Sequence, residues 1–313
     1  MVDVAGGGHM GIAFEVTNGT WVTPDIFAPI ESESLQEVRN DPSRIPILGR
    51  AVRSGTVVGR HHVEGEIVME ALPTPMAYFL ACSRWAIVKS GIGPFVVTAN
   101  DSALVHQKGT NKSLSISVSR AGVGFAYLGC HVVGQRFFME DGVFKVAYQI
   151  IGRKETTDYT PGAVTEPLQT PFAADEIAVT VAASSRVDLD SLEFNFDDNG
   201  EARFNHSGLA EADYVKFGEF TGDASFEIDF ESKADYAVWV AQTVQEVKAV
   251  FTKGTEAVDI EVHGGLYDSF DVGLAGIGDQ VRASATIGAA YVAADTAAAE
   301  IVITLDVDIT GIA

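Results

Sequence analysis

The chain has 313 residues, 47% of them hydrophobic and 20% charged, which is long enough for one large core or two medium ones and excludes a single small module. Its formal net charge of −22 disfavours a protein that wraps nucleic acid, because binding phosphates requires Lys and Arg. Abundant glycine together with frequent Val, Ile, Thr and Phe favours strands over helices.

The net charge is confined to the second half of the chain. Residues 1–156 contain 14 Lys and Arg against 14 Asp and Glu, and are therefore neutral. Residues 157–313 contain 7 against 29, which gives the whole −22. Such a surface is suited to repelling DNA rather than holding it.

The sequence predicts a protein made in the cytosol and not inserted into a membrane. The first residues show neither a basic segment nor an apolar segment typical of a secretory signal. No apolar run approaches the roughly 20 residues that cross a bilayer. Cys82 and Cys130 are the only cysteines, which is typical of a reducing compartment rather than a disulfide scaffold.

In chain order, the first informative elements are a short segment and a strand that both recur later. Ser34-Leu35 recurs as Ser191-Leu192, and the predicted strand Val63–Glu70 recurs as Phe220–Glu227. Both matches have an offset of 157 residues. Two matches at one offset predict an internal duplication.

A helix is predicted immediately after each of these strands. Thr74-Pro75 offers an N-cap and a first-turn proline ahead of Met76–Trp85. Ser232 offers the second N-cap, ahead of Lys233–Ala241. Aromatic residues in both segments could close over a sheet.

The two halves are also predicted to end alike. Gly142–Gly152 forms a closing strand, and Glu300–Gly311 is expected to have the same role in the second half. The stretch from about 155 to 172 is rich in Thr and Pro and is predicted to be a linker. The expected units are therefore residues 1–156 and residues 157–313, each mainly β with one flanking helix.

A second internal match is out of phase with this duplication. Phe137–Gly142 also resembles Leu192–Gly200, which would make both segments copies of one acidic hairpin. This alternative stays open at the level of sequence.

In this order, the segments resemble the tail tube family of phages with long non-contractile tails. The residues that carry the resemblance are Ile30–Leu35, the Val63–Glu70 strand running into the helix at Tyr78-Phe79-Leu80, and Tyr127–Val132 followed by the hairpin that ends at Gly152. None of these segments is specific alone. Together they cover most of the chain, and the match is one of layout.

The resemblance implies two tandem tail-tube-like β-sandwich or barrel units. Inner strands of such units join those of their neighbours into a continuous barrel around a lumen that carries DNA without binding it specifically. Rings in this family have six tube units, so a duplicated chain would form a trimer and an unduplicated chain a hexamer. The rings stack into a tube in the virion tail, with a tape-measure protein and other tail proteins as partners.

Strand alternation predicts an acidic face, because side chains two residues apart point the same way. In both copies of the repeated strand, small or apolar residues alternate with acidic ones. We expect the acidic side chains to face the lumen, although an ordinary solvent-facing side of a half-buried strand is the alternative. The candidate lumen-facing residues are Glu64, Glu66, Glu70, Asp223, Glu227 and Asp229.

Other patterns do not assemble a catalytic, cofactor or metal site. Adjacent His61 and His62 point to opposite faces of a strand, as do Cys130 and His131. The acidic segments at 140–142 and 197–200, which end in Asp-Gly and Asn-Gly, are typical of turns as well as of calcium loops. Gly6–Gly11 lacks the Lys-Ser/Thr of a P-loop and is predicted to be a flexible arm. We therefore expect no enzyme activity and no cofactor.

The alternative function is a two-domain β-sandwich that binds a ligand or a surface. Repeated β units, acidity and the missing catalytic residues suit such an adhesion module equally well, since fold alone does not determine function. The oligomeric state separates the two hypotheses.

Overall fold

A computed structural model of the chain describes residues 9–41, 59–91, 94–100, 112–156, 159, 164, 169–205, 210–230, 233–273, 281–292, 297–306, 308–309 and 311–312. Most of these residues lie in antiparallel strands, as the composition predicts. The first half contains strands β1 to β11, at His9–Phe14, Ile26–Ala28, Ser32–Glu33, Gln36–Asn40, Arg60–Glu70, Ala86–Ser90, Phe95–Asn100, Leu114–Arg120, Val123–Glu140, Val143–Gly152 and Lys154–Thr156. The second half contains strands β12 to β21, at Ile177–Val181, Ser184–Arg186, Leu189–Asp197, Glu201–Arg203, Tyr214–Lys216, Thr221–Asp229, Gln245–Lys253, Glu256–Gly273, Arg282–Gly288 and Ala299–Leu305.

Two α-helices are present among the described residues, one after each copy of the repeated strand. Helix α1 spans Pro73–Ala81, and helix α2 spans Ala234–Val240. The N-cap of α1 is Leu72, so the predicted cap at Thr74 is wrong. The helix begins before Thr74 because Pro73 suits the first helical position, where its fixed φ fits the helix and its missing amide hydrogen needs no partner. The predicted cap Ser232 lies outside the described residues.

One antiparallel sheet, here called the central sheet, runs through both halves. Its order is β3 and β4 beside β5, then β10, β9, β14, β17, β20 and β19. Two flanking sheets pack against it. The 18-residue strands β9 and β19 are long enough to continue from the central sheet into a flanking sheet.

The same pairing pattern occurs in each half of the chain. In the first half β5 pairs with β10, β10 with β9, and β9 with β8 and β11. In the second half β17 pairs with β20, β20 with β19, and β19 with β18 and β21. This repetition supports the proposed duplication, while the boundary between residues 156 and 157 stays a prediction.

The pairings correct the predicted end of each unit. The counterpart of β10 is β20, because both pair with the repeated strand, whereas the C-terminal strand β21 pairs with β19 and β7. The predicted equivalence of Gly142–Gly152 with Glu300–Gly311 is therefore wrong. The hairpin of β6 and β7 has no counterpart after α2, so the offset of 157 residues falls to 133 between β9 and β19.

Two further sequence matches have a different meaning in the structure. Ser34 donates its amide to the carbonyl of Glu66, while Ser191 lies opposite Glu227, so these serines are not equivalent. The segments 137–142 and 192–200 are not copies of one hairpin either. They belong to neighbouring strands that pair with each other, Phe138 opposite Glu193.

The hydrophobic core is continuous across the two halves. Phe144 of β10 stacks on Phe251 of β18 at 3.7 Å between ring centroids. Phe79 of α1 stacks on Tyr148 of β10 at 4.4 Å. Most buried apolar residues of both halves form one cluster, which holds the central sheet against its flanking sheets.

Candidate functional site: an acidic sheet face

Alternation along β5 and β17 separates a buried row from an acidic row, as predicted. In β5, Val63, Ile67 and Met69 are fully buried, while Glu64 is exposed and Glu66 half-buried. The same alternation occurs in β17, where the buried residues are Ala224, Phe226 and Ile228, and the half-buried acidic residues are Asp223, Glu227 and Asp229. The structure also leaves Glu70 half-buried in this row.

The two acidic rows lie on one face of the central sheet. Directly paired residues of neighbouring strands share a face. The pairings run from Val68 through Ala147, Arg136 and Asn195 to Asp223. Glu66 and Glu70 are each two residues from Val68 and therefore lie on its side of the sheet. Both halves thus present their carboxylates on the same side, which we call the acidic face.

Strands other than the repeated pair add carboxylates that the sequence prediction missed. Glu140, Glu193 and Asp197 lie on the acidic face, in β9 and β14. Asp271 of β19 lies opposite Ser284, which in turn lies opposite Glu227. The alternation of apolar and polar residues from Leu192 to Asp197 was a visible signal for this second acidic strand.

Three cations on this face are engaged by carboxylates. Lys145 lies 2.7 Å from Glu31 and 2.9 Å from Glu140, and these hydrogen bonds raise the pKa of its ammonium group. Arg136 lies 3.8 Å from Glu193 and stacks over Phe138 at 4.4 Å.

Arg282, at the end of β20, lies 2.5 Å from Asp190. Among the described residues, no ion pair involves Glu66, Glu70, Asp223 or Glu227. The acidic face therefore keeps a surplus of uncompensated negative charge.

Asp223 lies near two other carboxylates, those of Glu193 and Asp268. Burial raises the pKa of its carboxyl group above the usual value, and the charges of Glu193 and Asp268 raise it further. Hydrogen bonds from Asn195 at 3.4 Å and Ser225 at 3.3 Å oppose this rise. Burial and neighbouring like charges both disfavour the ionised form of this carboxyl group.

The comparison with protein families identifies the group to which the chain belongs. The family described as phage tail tube protein matches residues 7–310, nearly the whole chain. This chain belongs to the phage tail tube protein family. It is therefore a structural component of a phage tail, and its mainly β fold agrees with that assignment. A comparison with curated proteins gave no match.

The histidine and cysteine pairs of this tail tube protein do not form a catalytic arrangement. Cys130 and His131 are both buried, and burial raises the pKa of the Cys130 thiol. Burial also lowers the pKa of His131 to about 4, so its ring is neutral. His131 contacts Asn18 at 3.1 Å. A protonated thiol beside a neutral imidazole on the opposite face is a packing arrangement.

The histidine pair at 61–62 and the Asp-Gly pair at 141–142 are explained by strand and turn geometry. His61 pairs with Arg39 and His62 with Val38, so the two rings lie on opposite faces of β5. Asp141 and Gly142 both have positive φ, 50° and 77°, and form the tight turn between β9 and β10. Residues 9–11 of the predicted flexible arm belong to β1 and pair with β8, so the prediction is wrong for them, and residues 6–8 lie outside the described part of the chain.

One group of possible metal ligands was not predicted from the sequence. Carboxylate and imidazole atoms of Glu246, Glu261 and His263 lie within 4.8 Å of one another on a flanking sheet. The ammonium group of Lys248 lies 3.1 Å from Glu261 and already supplies a positive charge there.

Neither described helix is long and apolar enough to cross a membrane.

Proposed function

We propose that copies of this chain join side by side into rings that stack into the tail tube, with the acidic face turned toward the channel. The observation that carries the proposal is the position of the candidate residues of both halves on one face of one continuous sheet. A ring that continues this sheet would present the same face all the way round its bore. DNA would then leave the virion along a wall that repels it.

Electrostatics supports a wall that prevents adhesion. At physiological salt the Debye length is about 8 Å, so wall carboxylates act on phosphates that come close to the surface. Binding a phosphate backbone requires several free cations. The acidic face has its cations Lys145 and Arg136 engaged with glutamates instead.

The duplicated pairing pattern favours a ring of three copies, each supplying two of six tube units. A ring of six copies is the alternative if each chain counts as one unit. During assembly we expect a tape-measure protein in the channel and other tail proteins at the ends of the tube. Synthesis would take place in the cytoplasm of the bacterial host.

Imaging tests the assembly, and charge reversal tests the role of the face. Purified protein should form hollow rings or tubes in negative stain, whereas a persistent monomer that binds glycans would support an adhesion module instead. Lys in place of Glu66, Glu70, Asp223 and Glu227 should leave tubes intact and impede DNA ejection.

A matched variant separates the face from net charge alone. It carries Lys at four acids that lie off the acidic face and have no ion pair among the described residues, Asp175, Glu256, Glu300 and Asp306. We expect this variant to eject DNA normally if it assembles. Normal infectivity of the first variant would contradict the assignment of the acidic face to the channel.

A further inference from the structure

The chain contains one copy of a junction between its two halves. Residues Gly134–Phe138 of β9 pair with Glu193–Asp197 of β14, and this pairing, here called the internal junction, makes the central sheet continuous. By the repeated pairing pattern, β19 corresponds to β9, and β3 with β4 corresponds to β14. Each end of the central sheet is thus one side of a junction whose other side is missing from the same chain.

Both end strands have an unpaired edge within the described part of the chain. Leu266–Gly273 of β19 pairs with β20 alone. Ser32–Asn40, which contains β3 and β4, pairs with β5 alone. Open edges of this kind readily recruit another strand.

Corresponding residues fix how the two edges would align. Phe137 of β9 corresponds to Phe270 of β19, and both are buried. Lys145 lies opposite Phe138 as Ser284 lies opposite Asp271.

On the other side of the junction, Ser32 lies opposite Val68 as Glu193 lies opposite Ser225. Val68 and Ser225 are equivalent positions in the repeated strand. Ser32 therefore corresponds to Glu193, and Ser34 to Asn195.

We propose that the β19 edge of one copy pairs with the Ser32–Asn40 edge of the next, in the alignment of the internal junction. In the proposed junction Ser269 would lie opposite Ser34, as Arg136 lies opposite Asn195 in the internal junction. Asp271 would likewise lie opposite Ser32, as Phe138 lies opposite Glu193. This inference rests on the proposed ring, and it names the two surfaces and the register that close it.

The helices provide a separate argument for the same partner. At the internal junction the segment after α1 is covered, with Trp85 packed on Phe196 at 5.3 Å and on Phe220 at 5.7 Å. The C-cap of helix α1 is Cys82, and the C-cap of α2 is Ala241.

Counted from these C-caps, Val244 corresponds to Trp85, because each lies three residues further along the chain. Val240 and Val244 are 61% and 60% exposed, whereas Trp85 is 3% exposed. An apolar surface beside an open sheet edge is covered when the next copy docks there.

The hydrogen bonding of Ser34 makes the register testable by disulfide formation. The amide of Ser34 donates to Glu66 of β5 at 2.9 Å, so it points away from the open edge. Ser34 and Ser269 would then form a non-hydrogen-bonded pair, with Cα atoms about 4.5 Å apart. This separation lies within the range of natural disulfides. The native Cys82 and Cys130 are fully buried and do not compete.

The experiment compares an in-register cysteine pair with an out-of-register pair. Under mild oxidation, the Ser34→Cys/Ser269→Cys variant should be converted mostly into covalently linked copies on non-reducing gels. The Ser32→Cys/Ser269→Cys variant, shifted by two residues, should stay mostly unlinked. The largest closed species counts the copies in a ring, three or six.

Imaging of the same samples separates the two proposals. Rings without in-register linking, or with preferential linking of the out-of-register pair, would overturn the junction and leave the tube function standing. Failure of the unmodified protein to form rings would overturn the tube function itself.

A second variant tests the α2 surface. Val240→Asp with Val244→Asp should abolish rings and leave a folded monomer, judged by circular dichroism and thermal unfolding. Val123→Asp, a change at a 55% exposed valine at the start of β9, is the matched control and should still form rings. Normal ring formation by the α2 variant would contradict the proposed contact.

Discussion

Replacing Tyr148 by Phe should stabilise the protein. Tyr148 is fully buried in β10, between Phe79 and Phe137, and its hydroxyl has no hydrogen-bond partner among the described residues. Burying a hydroxyl without a partner costs about 1–3 kcal/mol, and phenylalanine keeps the ring packing while removing that group. We expect the free energy of unfolding to rise by about 1 kcal/mol, measured by urea denaturation.

Tyr127 is the matched control, because its hydroxyl is also buried but is hydrogen-bonded. It donates to the carbonyl oxygen of Leu35 at 2.8 Å. Tyr127→Phe should lower the free energy of unfolding by about 1 kcal/mol, the typical net contribution of one hydrogen bond. Equal destabilisation by both substitutions would refute the reasoning, since it would mean that the Tyr148 hydroxyl has a partner.

Three further predictions concern a buried ion pair between the two halves, the pH dependence of stability and the open edge of the sheet. Asp198→Asn should lower the free energy of unfolding by about 3 kcal/mol in denaturant titrations, because it leaves the buried guanidinium of Arg84, now 3.5 Å from Asp198, without its counter-charge. His131 has a folded-state pKa of about 4 against 6.5, so its contribution is complete above pH 6.5 and about 3 kcal/mol is lost as the pH falls to 4. The pH slope of stability should flatten in His131→Asn, and an unchanged slope would show that another group titrates. Gly65→Ala should impair ring formation in negative stain, because its new Cβ would lie 2.6 Å from the carbonyl oxygen of Ser34 on the open edge.

The sequence was sufficient to predict features that depend on local alternation. Val63, Ile67 and Met69 alternate with polar residues, and this period of two determines both the strand β5 and its acidic side. The second copy in β17 follows from the match at Gly65 and Gly222. Such patterns need no knowledge of distant partners.

Features that depend on long-range pairing could not be predicted in the same way. The sequence does not show that β9 pairs with β14, and it is this pairing that places Glu66 and Asp223 on one continuous face. The counterpart of β10 was wrongly assigned because the β6–β7 hairpin changes the offset after α1. A strand's partner is chosen by packing across the whole chain, and several C-terminal strands have similar local patterns.

The central claim is that the acidic face lines the channel of the tube. The accessibility of thiols in assembled tubes tests this claim most directly. Glu227→Cys places a thiol on the acidic face, and Thr252→Cys places one on an exposed position of a flanking sheet. A maleimide carrying a long polymer chain should label both thiols equally in dissociated protein. In tubes it should label only Cys at position 252, whereas equally fast labelling at position 227 would place the acidic face on the outside.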